Sequence, residues 1–404
     1  MAAPLSVADA LFRVLDGVAP LPAETVPLAQ AHGCVLAENL AARRTQPPDD
    51  VSAMDGYAVQ AADVTAANAR LTVIGEVPAG RPFAGTVGPG ESVRIFTGGV
   101  LPAGADTVVV QEVATRDGDE VVFSAPGGAG RHVRRRGRDF SAGDVLLRRG
   151  RRLTMRDLAL AAAMNHPAVP VHRRPRMGLL ATGDELVPPG TEPGPGQIVY
   201  SNGFAIAALA RSEGAETIDL GIVPDRLDET VAAIRRARAE GVDVLVTTGG
   251  ASVGDYDLVQ TALAAEGMAL AFWKIAMRPG RPLMSGRLGD IHVLGLPGNP
   301  VSSFVTAVLF LVPLLRRLQG REDVSFPAEP AIAGGDLKAN DERADFLRAT
   351  LAIDQDGRLV ATPVSDQDSS LLAPLGLADG LLVRDPHAPA APAGSPCRVI
   401  RLPA

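Results

Sequence analysis

The sequence predicts a multidomain protein of mixed α/β and β class, with a doubly wound α/β unit in the middle and a small β unit after it. Three observations carry this. The chain has 404 residues, too many for one ordinary core and enough for roughly two to four domains. From Arg176 onward apolar runs alternate with helical spacing in a strand–helix–strand rhythm, the mark of a parallel sheet covered by helices. On either side of that stretch, short alternating runs are cut by Gly, Pro and Asp turns, the pattern of small strands and hairpins.

In chain order, MAAPLSVADALFRVL reads as an amphipathic first helix, because Asp9 and Arg13 interrupt its apolar stretch. It lacks the basic-then-apolar layout of a secretion signal. Helical spacing with short turns continues to about residue 45, where Pro47-Pro48 breaks it. LTVIGEV, SVRIFTGG, DTVVVQE and EVVFSAP predict strands between Leu71 and Leu147, and Arg152 to Asn165 returns to helical spacing with Thr154 as N-cap. The central unit reads as MGLLATG, a helix from Asn202 to Ser212, TIDLGIV, a helix from Arg226 to Glu240, DVLVTTGG and a helix from Leu258 to Ala265. It continues with FWKIAM, a hairpin around Ser285 to Asp290, IHVLGLP and a long helix from Val301. The apolar stretch Phe304 to Leu315 is shorter than a bilayer requires and is broken by Pro313 ahead of Arg316 and Arg317, so a buried helix is expected and no membrane span. After the linker REDVSFPAEP, LRATLAI, GRLVATPV, GLLVRD and CRVIRLP predict a small β-barrel or sandwich, the barrel being the expectation adopted. The expected division is 1–172, with a β insertion over about 46–145, then 173–325 and 326–404.

Hydrophobic residues make up 46% and aromatics 4%, which describes a globular protein with cores of Ala, Val and Leu. A net charge of −7 and a pI near 5.5 argue against a protein that coats nucleic acid, since that needs a broad basic face. Any anionic ligand must therefore meet a local basic pocket. Cys34 and Cys397 have no partner at metal-ligand spacing, so neither a disulfide framework nor a zinc site is expected, and a reducing, cytoplasmic compartment is. With no Ser-His-Asp order, HExxH or GxSxG, and six scattered histidines, histidine base catalysis and metal ligation are not expected.

The chemistry-bearing residues gather at strand ends. TTGGASVGDYD, residues 247–257, follows a strand and precedes a helix. Gly249, Gly250 and Gly254 permit close backbone approach to an anion, with Ser252 in the same turn, and Asp255 and Asp257 can hold a Mg²⁺ bridging to a phosphate. The segment reads equally as a Gly-rich turn with Asp as helix cap. No GKS or GKT follows, so it is not a P-loop. In GLPGNPVSS, residues 295–303, Pro297 and Gly298 lead to Asn299 as a cap, Pro300 at the first helical position, and Ser302 and Ser303 in the first turn. Such a cap needs no function. Yet it should share one sheet edge with TTGG and with ATGDEL, residues 181–186, and three open turns on one edge favour a pocket. In FWKIAMRPGRP, Lys274, Arg278 and Arg281 read equally as solvated surface charge, but three of them flanking a Pro-Gly-Arg-Pro turn beside two Gly-rich loops favour binding of a phosphate or oxyanion. RHVRRRGRD, residues 131–139, reads as solvated surface charge, although its Asp139 can orient guanidinium groups or bind a metal. SAMDGYA sets Asp55 in a turn, and RIFTGGVLPAGAD sets Thr97 before two glycines, in an oxyanion loop or an ordinary hairpin.

In their order along nearly the whole chain, PPDDVSAMDGYAV, RIFTGGVLPAGADTVVVQE, VRRRGRDFSAGDVLL, ATGDELVPPG with GQIVYSN, TTGGASVGDYD, FWKIAMRPGRP and GLPGNPVSS resemble the MoeA family, which includes the E domain of gephyrin and its plant counterpart. The resemblance implies an N-terminal region with a helical and an elongated β part, a central α/β domain shared with molybdopterin adenylyltransferases, and a small C-terminal β domain. It also implies an elongated homodimer whose active site can borrow residues across the subunit interface. The implied activity is that of a transferase that inserts molybdate into molybdopterin adenylate and releases AMP with the help of Mg²⁺, with a transient contact to a molybdopterin adenylyltransferase among its conceivable partners. Carried over position by position, the implied catalytic residues are Asp55, Thr97, Asp139, Glu185, Asp225, Asp257 and Lys274, joined by Pro297 and Pro300. Glu185 and Asp257 are assigned to the Mg²⁺ and anhydride end, and Lys274 with the Gly249–Gly250 turn to the molybdopterin phosphate. ERADFLRA and SDQDSSLLAPLGLADG resemble family segments that help hold molybdate, which adds Arg343, Arg348, Ser369 and Ser370. The chain departs from the family where many relatives have KPGKP: Arg278 and Arg281 keep the charge but present planar forks. The rival readings are a molybdopterin adenylyltransferase, against which the flanking domains argue, and a non-catalytic scaffold or paralogue, against which the intact carboxylates and basic residues argue.

Overall fold

Strands that are apolar on both faces belong in a sheet covered on both sides. In the computed structural model, which describes residues 4–78, 80–249 and 258–403, the central runs form β1 (Arg176–Thr182), β2 (Glu216–Val223), β3 (Val244–Thr248), β4 (Ala269–Lys274), β5 (Pro282–Leu288) and β6 (Ile291–Leu296). They make one sheet in the order β2-β1-β3-β6-β5-β4. The first four of these run parallel, β5 returns antiparallel to β6, and the edge strand β4, antiparallel to β5, resumes the direction of the first four. The Gly289-Asp290 turn is too short for a crossover, so β5 and β6 can only form a hairpin. All five residues of β3 are buried. The helices Asn202–Ser212 and Leu258–Ala265 have the expected bounds, and Leu227–Ala239 is one residue shorter at each end.

The long helix after β6 corrects one expectation. Pro313 does not break it: the helix Pro300–Thr306 passes through a π turn, Ala307–Leu311, into Val312–Leu318. Pro313 has no N–H to donate, and the helix reaches it through a wider turn in which the Val312 N–H donates to the Ala307 carbonyl. Pro300–Leu318 is long and apolar enough to cross a membrane, but 83% of its most apolar window is buried inside the protein.

The N-terminal helix, Val7–Leu15, is capped by Ser6, whose hydroxyl accepts the Asp9 N–H at 3.1 Å. Its Ala10 and Val14 pack with Leu314 and Leu315 in the central core. The stretch after it is not helical. Pro20, Pro22 and Pro27 deny a helix interior, and the chain instead forms short strands, Ala23–Pro27, Val35–Leu36 and Leu40–Ala41, around a 3₁₀ turn. These pair with Ala168–His172 and Val145–Leu147. The helix Met155–Ala163 begins at the expected Thr154, which forms a reciprocal capping box with Asp157.

Between them lies a six-stranded sheet running from Gly56–Val59 to Glu120–Phe123, with apolar clusters of its own around Tyr57 and Phe123 and around Val77 and Ile95. At the other end, Ala344–Ile353 pairs with both Leu359–Pro363 and Gly380–Arg384. With Ala328–Ala333 and Pro396–Arg401 this closes a five-stranded barrel. The short strand Met277–Arg278 adds to it, parallel to Ala344–Asp345, and ties the barrel to the central unit.

Candidate functional site

In a doubly wound sheet a ligand crevice opens beyond the carboxyl ends of the strands, where the strand order reverses. Here that point lies between β1 and β3. A cleft of about 690 Å³ is lined there by Thr182 at the end of β1, Thr248 and Gly249 at the end of β3, and Pro297 to Pro300 after β6. The loop 198–202 and Glu185 form one rim, and Ser370 and Leu372 of the barrel form the other.

Two glycines allow this approach. Gly249 has φ +87°, and a Cβ there would stand 2.3 Å from the Thr182 carbonyl oxygen, so only glycine lets the two strand ends come together. At Gly183, φ +149°, a Cβ would lie 2.5 Å from Glu185 Oε2, because the Glu185 carboxylate folds back over the turn. Asp184 Oδ1 accepts the Asp225 backbone N–H at 3.1 Å, which brings the exposed Asp225 beside the Glu185 loop. Thr182 Oγ1, buried in the wall, has no hydrogen-bond partner among the described residues. Burial pushes the Tyr200 hydroxyl above its ordinary range, which keeps it a neutral donor.

Asn299 occupies the N-cap position with Pro300 after it, but its side chain makes no cap bond. That corrects its expected role. Asn299 Nδ2 instead donates across to Ser369 Oγ at 2.9 Å, and the Val301 N–H donates to the Ser369 carbonyl at 3.1 Å. Asn202 Nδ2 donates to the Gly298 carbonyl at 2.7 Å, which fixes the same turn from the other side. Ser302 lines the cleft.

Of the basic residues, Lys274 is half-buried and stands opposite Pro282 of the cleft wall, while Arg281 is exposed in the turn before β5. Arg278 is paired within the protein. Its Nε donates to Asp345 Oδ1 at 2.9 Å and its Nη2 to Asp345 Oδ2, with Asp341 at 3.8 Å. The planar fork that distinguishes it from lysine is spent on docking the barrel. Arg343 is likewise paired with Asp341, at 2.5 Å. Arg348 is buried and donates to three backbone carbonyls of the loop 366–371.

Glu185 is the one expected metal ligand within the described residues; Gly250, Ser252, Gly254, Asp255 and Asp257 lie outside them. No group of three or more His, Cys, Asp or Glu suited to a metal occurs among the described residues. Mg²⁺ commonly takes one or two carboxylates and fills its shell with water and substrate oxygens. An exposed rim carboxylate such as Glu185 fits that open mode.

The N-terminal candidates sit elsewhere. Asp55 Oδ1 accepts the Thr97 N–H at 2.8 Å and the Thr97 hydroxyl at 2.9 Å, and these bonds hold its carboxyl below the usual range. Asp139 is exposed, and its N–H donates to the Gln46 carbonyl at 3.0 Å. Arg135 of the arginine run is committed to Asp50 at 2.5 Å. None of Asp55, Thr97 or Asp139 lines the cleft. Conversely, sequence reasoning placed the segment 181–186 on this edge without singling out Thr182, and missed Tyr200, Asn202 and Leu372 as cleft residues. Tyr200 and Asn202 were within reach, because the end of a parallel strand and the loop feeding the next helix must border the same edge.

Family models match along most of the chain. The MoeA N-terminal region (domain I and II) matches residues 5–165, a probable molybdopterin binding domain residues 178–317, and the MoeA C-terminal region (domain IV) residues 330–402. The chain is 36% identical to the molybdopterin molybdenumtransferase of Haemophilus influenzae over 91% of each chain. It is 41% identical to that of Nostoc sp. over 74% of this chain and 70% of the relative. A solved molybdopterin biosynthesis MoeA protein from Pyrococcus horikoshii superposes with a TM-score of 0.86, at 31% identity and over the full length of both chains.

Proposed function

Because the chain belongs to the MoeA family and is on that ground a molybdopterin molybdenumtransferase of molybdenum cofactor biosynthesis, we propose that its cleft inserts molybdate into molybdopterin adenylate and releases AMP, assisted by Mg²⁺. The observation that carries this reading is the cleft itself: a switch-point crevice with a glycine-lined strand end, a carboxylate on one rim and the Ser370 hydroxyl of the barrel on the other.

Molybdate is a dianion and the adenylate carries a phosphoanhydride, so the site must gather charges that repel each other. Cations and fixed N–H donors do this without reorganising during the reaction. Lys274 and the backbone at Gly249 take the molybdopterin phosphate, and Arg281, Ser302 and Ser370 take the oxyanion. Glu185 and Asp257 hold Mg²⁺, which neutralises charge on the anhydride oxygens when bound. The barrel loop with Leu372 covers the cleft and limits water.

Asp55, Thr97 and Asp139 lie in the N-terminal β unit, away from the cleft of their own chain. We assign them to the cleft of a second copy, which makes the working unit a homodimer with composite sites. A molybdopterin adenylyltransferase is a natural donor of the adenylate, and a cytoplasmic location suits the paucity of cysteine.

The test is AMP release from molybdopterin adenylate in Mg²⁺ buffer with and without molybdate. Release should require molybdate and fall by about 100-fold or more in Glu185→Gln. Tight binding of the adenylate with no AMP released at any molybdate concentration would move the chain to the scaffold reading.

A further inference from the structure

The loop that carries Tyr200 is tied to the Glu185 turn. Leu186–Val187 pairs in parallel with Ile198–Val199. The Ile198 N–H donates to the Glu185 carbonyl at 2.7 Å, and the Tyr200 N–H donates to the Val187 carbonyl at 2.8 Å. Tyr200 therefore stands on the Glu185 rim of the cleft, which it lines together with Thr182 and Thr248. Its ring also borders a second groove of about 330 Å³, beside Phe204 at a ring-centroid separation of 6.1 Å. A tyrosine held between two openings is not filling a core.

The seat of this ring is made by a glycine. A Cβ at position 203 would stand 2.0 Å from the Tyr200 hydroxyl oxygen and 2.5 Å from its Cζ, so any larger residue there evicts the ring. Gly203 is buried in the first turn of the helix Asn202–Ser212, 11 residues long, where glycine favours a helix less than alanine does. Helical propensity gives no reason for this glycine; the close approach of the hydroxyl does.

The groups around that hydroxyl are arranged for an anion. Ser201, at the N-cap position, makes no side-chain cap bond, and the N–H groups of a first turn have no carbonyl of their own helix to meet. Burial raises the Tyr200 hydroxyl, against the pull of the Thr248 side chain and the Gly203 N–H, so it meets a ligand as a neutral donor. Thr182, only 3% exposed, has a hydroxyl without a hydrogen-bond partner among the described residues. Its Oγ1 points at the Gly249 turn, 3.3 Å from where a Cβ would stand. Thr182 ends the strand beside Thr248, since Ala181 pairs with Thr248. A buried hydroxyl left unpaired is costly, and one in a cleft wall near an open helix N-terminus marks a place for an oxyanion.

We propose that Tyr200, seated on Gly203, donates a hydrogen bond from its hydroxyl to a phosphoryl oxygen at the AMP end of the substrate, with Thr182 as a second donor. The donors set the ligand class, because neutral hydroxyls and helix N–H groups fit an oxyanion. The Glu185 rim sets which oxyanion, because that rim is the end assigned to the anhydride. This choice rests on the reaction proposed above; the titration that tests it needs no turnover.

The experiment titrates AMP and adenosine into the full chain in Mg²⁺ buffer by calorimetry, for wild type, Tyr200→Phe, Thr182→Val, Gly203→Ala and the Tyr200→Phe, Gly203→Ala double variant. Tyr200→Phe keeps the ring and loses only the hydroxyl. AMP should then bind about tenfold more weakly, the scale of one hydrogen bond to a charged group, while adenosine, which lacks the phosphoryl group, should behave alike in wild type and variant. Thr182→Val should weaken AMP by a similar factor. Gly203→Ala should do the same by evicting the ring, and in its background Tyr200→Phe should add less than about twofold, because both changes remove one contact. AMP binding by Tyr200→Phe within about twofold of wild type would overturn the proposal, as would equal losses for AMP and adenosine, or a wild-type chain that binds no AMP. A multiplicative, about 100-fold, loss in the double variant would overturn the seating of Tyr200 on Gly203. If wild type releases AMP only with molybdate, yet Tyr200→Phe holds AMP as well as wild type does, the reaction stands and this site fails. If no AMP is released from the adenylate but AMP affinity drops in Tyr200→Phe, the phosphoryl site stands and the reaction fails.

Discussion

The cleft and the N-terminal β unit hold their functional residues by different means. The cleft wall is drawn from three segments far apart in sequence, at Thr182, Gly249 and Gly298, and is closed by a barrel from the end of the chain. Its geometry depends on cross-domain contacts, such as Asn299 to Ser369 and Arg278 to Asp345. The pair Asp55 and Thr97 needs none of these: a backbone N–H and a hydroxyl from the next strand end fix one carboxylate oxygen. On the proposed function, a cleft without the carboxylate of Asp55 and a fixed carboxylate outside the cleft are two halves of one site. The difference then teaches that each chain would supply both halves without bringing them together.

The largest expected effect breaks this pairing from either side. Asp55→Ala and Glu185→Gln should each lower AMP release by about 100-fold or more, although the two residues lie in different units; full activity in Asp55→Ala would remove the β unit from the account. Next in size is the joint beside the N-terminal unit. Glu213 is buried with Arg316 at 2.7 Å and Arg321 at 3.0 Å, and Arg152 from the N-terminal unit donates to the adjacent Ser212 carbonyl at 2.7 Å. Glu213→Ala leaves the buried Arg316 without its carboxylate, while Arg321 keeps Asp323 at 2.6 Å, and should cost about 3–5 kcal/mol in urea unfolding. A loss under about 1 kcal/mol would mean that solvent reaches this cluster.

A smaller effect separates the central unit by pH. Burial, aided by Arg287, lowers His292 to about 4 from an ordinary 6.5. Between those values the unfolded chain binds a proton that the folded one does not, so stability falls as the pH drops from 6.5 towards 4, by at most about 3 kcal/mol. Thermal unfolding of wild type and His292→Leu across that window should show the slope only in the wild type. The smallest expected effect is at Thr97→Val. Losing the hydroxyl removes one of the bonds that depress Asp55, so its carboxyl rises towards the ordinary value and the acid limb of the activity profile moves to higher pH. An unmoved limb would detach the Thr97 hydroxyl from the chemistry.

How much of this was legible in the sequence follows the same divide. The strand and helix order of the central unit could be read because its periods are clean, and the glycine at 249 because only glycine fits a left-handed turn pressed against another strand end. The proline-rich stretch near Leu21 misled, since its apolar spacing resembled a helix that Pro20, Pro22 and Pro27 forbid. Pro313 misled in the opposite direction, because a π turn ahead of it is invisible in the residue pattern. For Arg278, Arg343 and Arg348 a sequence shows the charge and not the protein partners, all of which come from the barrel or its docking strand. Asn299 looked like a cap for the same reason.

The measurement closest to the central claim is subunit mixing. Asp55→Ala and Glu185→Gln chains, each inactive alone, are co-expressed in equal amounts and assayed for molybdate-dependent AMP release. If the β unit of one chain completes the cleft of the other, half of the dimers carry one intact site and the mixture should recover about a quarter of wild-type activity. Activity no higher than that of either variant alone would contradict a site shared between two copies.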